Sequence, residues 1–301
     1  MSSNHHWPTD EQRSLLNVGD RARLQPAFAP LIDDTVKVCL QAIEGDLHSL
    51  YIVGSMAHGE AQVGVSDFDF IAVLDYSVDP ELVKQDWVVP TMQRLSERYA
   101  SLVKEVEFDL WPQGYLFRDP DEFSPGAFII ATQSICVWGS DLVPELPRYT
   151  LRHLPTLHAI ANEDLLYFTD DLQEIADCLS ESSTPDEVRG LSRNLAKKIA
   201  RAGFALALEK NRQYTRDIAQ CAADFSAVYP DYADDMKRVL RFYTHPTDHI
   251  SPIQNILEGF AAQIEDVAAE WLDTYNPEWE EFFPIGEEDE DTDEDEDEDK
   301  E

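Results

Sequence analysis

The chain is poor in bases. Its 23 lysines and arginines, only eight of them lysine, stand against 60 aspartates and glutamates, giving a formal charge of −37. Such a balance disfavours broad binding to nucleic-acid backbones, which need basic side chains to displace counterions. Long apolar runs are also missing. Stretches such as Leu50–Val53 and Ala127–Ala131 are far too short to span a bilayer, and the polar start, Met1–Arg13, has no apolar leader segment. No membrane partner is expected, and a cytoplasmic location is. Cysteine is sparse: Cys39, Cys136, Cys178 and Cys221 show no CxxC spacing. Each sits in an apolar or helical stretch, so the expectation is four reduced, buried thiols rather than disulfides or zinc ligands. Internal repeats and Gly/Ser-rich linkers are absent.

What is present is enough for two domains of ordinary size: 301 residues, 43% of them apolar and 10% aromatic. The acids are unevenly spread. Glu287–Glu301 holds 13 of them with one lysine, and the body keeps 47 acids against 22 bases. The tail cannot bury apolar area and repels itself, so disorder is expected there. Residues 1–24 read as a loose polar lead-in. From 25 to about 150 helix and strand alternate: helix over Leu31–Ile43, strands at Leu50–Val53, Asp67–Leu74, Val106–Trp111 and Ser134–Trp138, and a long helix over Glu81–Val103. From 151 to about 280 only helices are expected, at His158–Leu179, Pro185–Lys210, Tyr214–Val228, Tyr232–Tyr243 and Ile253–Thr274. The boundary is placed at Leu142–Pro155, where Pro144, Pro147 and Pro155 interrupt regular structure. The fold class expected is thus an α/β (α+β) sheet domain followed by an all-helical bundle.

Chemistry concentrates in one segment, Tyr51-Ile-Val-Gly54-Ser55-Met-Ala-His58-Gly59-Glu60-Ala-Gln-Val-Gly64-Val-Ser66-Asp67-Phe-Asp69-Phe. It reads as strand, Gly-Ser turn, short helix, and a second strand opening on Asp-x-Asp. Gly54 lets backbone approach a phosphate closely, and Ser55 adds a hydroxyl at a helix N-terminus, a natural anion site. Asp67 and Asp69 lie two apart on a strand, so they share a face at about 6 to 7 Å. That spacing suits shared hard divalent cations. Glu105, Glu107 and Asp109 alternate in the same way on a third strand, and one of them could complete a two-metal site.

These residues resemble the nucleotidyltransferase superfamily of the DNA polymerase β type, with its Gly-Ser, an interval of about ten residues, and Asp-x-Asp; here 11 residues separate Ser55 from Asp67. Within it the sequence is most similar to the aminoglycoside 3″-adenylyltransferases, in the order sheet domain then helical domain and in Ser134-Ile-Cys-Val-Trp-Gly-Ser-Asp-Leu. The resemblance implies Mg²⁺, two ions, and ATP as donor of AMP to a hydroxyl of a small acceptor, an aminoglycoside among the candidates. It implies Asp67 and Asp69 as metal ligands beside a third acid, and Gly54, Ser55, Ser66, Arg201 and Arg216 as contacts to the nucleotide. The family's third acid is a glutamate, which maps to Glu107 or is replaced by Asp109. The shorter side chain suits direct coordination, so Asp109 is placed first, as metal ligand or base, with Glu107 as base beside it. Two departures stand out: Gly59-Glu60 where the family often has two glycines, and Arg216 where it has a lysine. Rival readings are a protein-adenylylating regulatory enzyme and a silent nucleotide-binding scaffold.

Other residues carry weaker signals. Arg193, Lys197 and Arg201 share a face of one helix, with Lys198 beside them. That face either meets a triphosphate across a cleft or forms surface ion pairs. His58 lies in the phosphate loop and either touches phosphate or is exposed. His245 and His249 are separated by Pro246, which favours a loop over a metal site. Trp111 and Trp138 are expected in the core.

Overall fold

Alternation of apolar residues builds the sheet, and the edge of that alternation positions the site. The computed structural model describes residues 5–43, 45–75, 87–117, 123–179 and 184–276. Helix α1 (Ala29–Ala42) leads into strand β1 (Leu47–Ile52). The one-turn helix α2 (Gly54–Ala57) follows, then β2 (Phe68–Leu74), α3 (Val88–Arg98) and β3 (Val106–Pro112). The short α4 (Gln113–Leu116), α5 (Pro125–Gln133) and β4 (Ile135–Gly139) complete this part. The four strands form one mixed sheet in the order β3-β2-β1-β4, with β1 antiparallel to both neighbours and β2 parallel to β3.

Strand alternation divides the sheet between two layers. Leu50, Ile52, Phe68, Phe70, Ala72 and Leu74 turn to one face and bury against Phe28, Leu31, Cys39, Leu95 and Tyr99 of the α1 and α3 side. Tyr51, Val53, Ile71 and Val73 turn to the other and join the core of the helices that follow. Asp69 has the parity of Ile71 and Val73, so the same alternation directs it toward the helical layer.

That layer consists of α6 (Leu154–Leu165), α7 (Phe168–Cys178), α8 (Pro185–Asn211), α9 (Ile218–Val228), α10 (Ala233–Thr244), α11 (Ile250–Ile256) and α12 (Ala262–Tyr275), the last two joined by a π-helical turn at Leu257–Ala261. Helix α8 is its axis. A capping box starts it, Thr184 and Glu187 bonding each other's backbone N–H, and Arg212 in the left-handed region (φ 53°) ends it. Its middle, from Leu195 to Leu208, is buried on most sides by α6, α9 and α10. The mixed sheet with helices, followed by a helical region, is the fold class expected. Pro144 and Pro147 lie between β4 and α6 as expected, but Pro155 opens α6 instead of interrupting it, and Leu142, Leu146, Tyr149 and Leu151 are buried in the same core as the helices.

Several local expectations need correction. The helix expected over His158–Leu179 is two, because Tyr167 leaves helical geometry (φ −98°, ψ 11°) between α6 and α7. Helix α5 was unread: its near-uniform apolarity (Phe128, Ile129, Ile130) gives no 3.6-residue period, and the Ser124 hydroxyl accepting from the Ala127 N–H is the signal that marks its start. The described part of the Glu81–Val103 helix is α3, and 81–86 lie outside the described residues. The acidic tail Glu287–Glu301 also lies outside them. Cys39 and Cys221 are buried thiols as expected, but Cys136 is half-buried and Cys178 exposed.

The largest difference is at the N-terminus. Residues 5–23 are a packed strap, held by backbone bonds from Trp7 N–H to the Tyr214 carbonyl (2.8 Å), Leu15 N–H to Tyr149 (2.9 Å), Val18 N–H to Thr132 (2.8 Å) and Asp20 N–H to Ala57 (3.0 Å). Polar composition made the segment look loose; satisfied backbone, with Leu15 buried, makes it part of the fold. Among the described residues no helix is long and apolar enough to cross a membrane.

Candidate active site

The chain leaves β1 and turns sharply into α2, and Gly54 is the pivot. Its φ of +66° is strained for other residues, and a Cβ there would sit 2.4 Å from Asp69 Oδ2. Only glycine lets the aspartate pack against the first turn of α2. Ser55 follows at the helix start. Ser66 accepts the Gln62 N–H through its hydroxyl (2.9 Å), closing the turn that delivers the chain to β2.

The parallel register of β2 and β3 then sets the acids. Asp69 stands beside Glu107, while Asp109 stands two residues further along, beside Ile71. Asp69 and Glu107 share a side-chain hydrogen bond. Burial, reinforced by the carboxylates of Glu107 and Asp67, pushes Asp69 up to about 7. Glu107 is also raised, by burial and then by Asp67 and Glu105. Asp109 is raised by burial alone. Asp67 lies in front of the pair, its Oδ1 without a hydrogen-bond partner and 3.6 Å from Lys104 Nζ.

Across from these acids lies α8, and between the two runs an open cleft of about 1560 Å³. Gly54, Ser55, Ser66, Asp67 and Asp69 line it from the sheet side, and Arg193, Lys197, Arg201 and Arg216 from the helical side. Glu107 and Asp109 are not among its lining residues; Glu107 reaches it through Asp69. The cations crowd one another. Arg201, Arg216 and Lys198, with burial, hold Lys197 down to about 8, opposed by the charge of Asp67. Burial and then Arg216 bring Arg201 down to about 10, and its Nε has no partner. Arg216 is clamped by Asp164 at 2.6 Å. Lys198 turns away to Asp171 (2.6 Å) and forms an ion pair there, while Arg193, Lys197 and Arg201 line the cleft.

A chain of charge −37 therefore gathers four of its bases along one wall, opposite carboxylates and a helix N-terminus. Buried, mutually repelling cations are costly unless an anion binds among them. The arrangement suits a polyphosphate with hard cations at its other edge. Among the described residues no three His, Cys, Asp or Glu side chains already converge on one ion position. The donor set nonetheless fits Mg²⁺ in kind: every candidate is a carboxylate oxygen, Asp67 Oδ1 accepts no hydrogen bond and faces only the Lys104 ammonium at 3.6 Å, and the Asp69–Glu107 bond is one that a bound cation would replace.

No protein-family model matches the chain, and no curated protein does. Among solved structures, the chain is similar to spectinomycin adenyltransferase AAD(9) from Enterococcus faecialis, determined with ATP and spectinomycin. The TM-score is 0.49 and the identity 12%, over 80% of this chain and 98% of that one.

Sequence reading missed several residues of the cleft. Lys104, one residue ahead of the acidic strand, is visible in hindsight as the lone base of that stretch. Arg23, His5, His6 and Trp7 line the cleft from the strap and gave no signal. His58 lines it as well and is part-buried: its Nε2 has no hydrogen-bond partner, and burial lowers its pKa. His245 and His249 flank the loop between α10 and α11, outside the cleft lining. Trp111 and Trp138 are part-buried against the two cores, also outside it.

Proposed function

We propose that this protein is a Mg²⁺-dependent nucleotidyltransferase that moves a nucleoside monophosphate, AMP from ATP, to a hydroxyl of a small acceptor. The observation that carries the reading is the pairing of Asp69 with Glu107 beneath Gly54-Ser55, facing Lys197 and Arg201 across one cleft. Gly54 and Ser55 receive the triphosphate at the N-terminus of α2. Lys197 and Arg201 neutralise it from the opposite wall, and Arg216, fixed by Asp164, holds the far side of that wall.

Asp67 and Asp69 would hold the metal, with Glu107 supporting Asp69 from behind. When bound, Mg²⁺ supplies the charge that draws the donor phosphates and acceptor oxygen together and eases loss of the acceptor's proton. The acceptor oxygen forms a bond to the α-phosphorus as the bond to pyrophosphate breaks. The hydroxyl proton passes to the acidic pair of Asp69, which lines the cleft, and Glu107 behind it, a role that their raised pKa values suit. This assignment reverses the order read from the sequence. Asp109, level with Ile71, lies one pleat from the pair and takes a supporting place.

The acceptor enters between the acidic edge of the sheet and the start of α8, where Arg193, Asn194, Glu187 and Tyr243 line the cleft. A direct test is incubation with ATP labelled in the α-phosphate, Mg²⁺ and a panel of hydroxylated acceptors that includes aminoglycosides and sugars. Label in a small product, dependent on Mg²⁺ and accompanied by pyrophosphate, supports the reading. Wild-type protein that binds no nucleotide contradicts it.

A further inference from the structure

The phosphate end of the cleft is built partly from the N-terminal strap. Helix α2 spans only Gly54–Ala57, too short to hold its own geometry, and the strap clasps it. Asp20 donates its N–H to the Ala57 carbonyl (3.0 Å). Arg23 lies against Gly59 so closely that a Cβ on Gly59 would meet Arg23 Cβ at 2.6 Å. The Arg23 guanidinium stands 3.8 Å from Glu60.

The other end of the strap is fixed to the helical layer. Trp7 N–H bonds the Tyr214 carbonyl (2.8 Å), and the buried Thr215 hydroxyl donates to the His5 carbonyl (2.8 Å). His6 Nε2 meets Asp224 at 2.6 Å. Between these anchors the Trp7 indole stands edge-on to two rings, Tyr214 at 4.8 Å and His58 at 5.7 Å. His58 donates its backbone N–H to the Gly54 carbonyl (3.2 Å), ending α2, while its ring lines the cleft with Nε2 buried and unpartnered. An unpaired buried nitrogen is costly, and such atoms are rare unless something absent completes them.

We propose that Trp7 is a positioning residue of the phosphate site: its indole fixes the His58 ring so that Nε2 meets a bound polyphosphate, with residues 5–8 closing that end of the cleft. The inference rests on the nucleotidyl-transfer reading of the same cleft and adds the strap to its donor site. A neutral imidazole has one donor nitrogen, and with Nε2 as that donor the phosphate oxygen supplies the missing partner.

The test uses the full chain. Pyrophosphate and ATP, each with Mg²⁺, are titrated calorimetrically into the wild type, Trp7→Ala and Trp7→Phe. Histidine ring ¹H–¹⁵N spectra, with His58 assigned through His58→Asn, are recorded before and after pyrophosphate addition. Trp7→Ala should weaken pyrophosphate binding at least tenfold, and Trp7→Phe, which keeps a ring edge, should restore most of it. The His58 ring signals should shift on pyrophosphate addition in the wild type and in Trp7→Phe. Two results overturn the inference alone: a folded Trp7→Ala that binds pyrophosphate as tightly as the wild type, or wild-type His58 signals that stay fixed at saturation. The second holds even if Trp7→Ala fails to fold. A wild type that binds neither ligand overturns the proposed function itself, and with it this inference.

Discussion

Replacing Lys197 with methionine should make the protein more stable and less able to hold its donor. The lysine's pKa is lowered from 10.5 to about 8 by Arg201, burial, Arg216 and Lys198, so the fold carries its charge at a penalty. That difference corresponds to about 3 kcal/mol at neutral pH as an upper bound. Partial access to water reduces it, and a gain of about 1 to 2 kcal/mol on removing the charge is the expectation. For a chain of this size that raises Tm by about 2 to 3 °C. The pH dependence follows from the sign of the shift. Between pH 8 and 10.5 the unfolded lysine holds a proton that the folded one has lost, so wild-type stability from this group rises with pH across that window. The advantage of Lys197→Met is therefore full below pH 8 and fades by about pH 10.5. Paired thermal melts of the two proteins from pH 7 to 10.5, with and without Mg²⁺ and ATP, check both halves. Added nucleotide should stabilise the wild type more than the variant. A variant that melts below the wild type at pH 7 would refute the picture of a strained cationic wall.

Three further outcomes follow from the site. Gly54→Ala introduces a Cβ 2.4 Å from Asp69 Oδ2 at a φ of +66°, so circular dichroism melts should show a loss of about 1 to 2 kcal/mol, with transfer falling at least a hundredfold. Glu107→Gln should cost at least tenfold more in kcat than Asp109→Asn, about 1.4 kcal/mol of barrier, because the register pairs Glu107 with Asp69; the reverse order in label-transfer kinetics would return the third place to Asp109. Arg216→Lys keeps the charge but loses the fork that meets Asp164 at 2.6 Å, and should raise the KM for ATP several-fold while kcat changes little.

The placement of the acids and of the Gly-Ser turn was legible because it depends on spacing within one or two strands. Alternation alone places Asp67 with Asp69, and Glu107 with Asp109, on common faces. Which acid of the third strand meets Asp69 was not legible, since parallel register is set by packing across the sheet: Phe70 beside Phe108, Phe68 beside Val106. Side-chain length, which favours Asp109 in the sequence, carries no information about that register. The basic face of α8 was visible from helical spacing, but its division was not, because Lys198 is drawn off by Asp171 on α7, 27 residues earlier. The strap was missed for a related reason. Its partners, Tyr149, Tyr214 and Asp224, are far away in sequence, and its polar composition conceals a satisfied backbone.

The central claim, that Asp69 and its neighbours hold the metal for nucleotidyl transfer, is tested most directly by one comparison. Wild type and Asp69→Asn, both shown to be folded, are given α-labelled ATP, Mg²⁺ and the acceptor that takes label in the panel. The account predicts transfer by the wild type and a loss of at least a thousandfold in the variant, because the amide cannot supply a carboxylate's charge to the ion. Transfer by Asp69→Asn at the wild-type rate would contradict it.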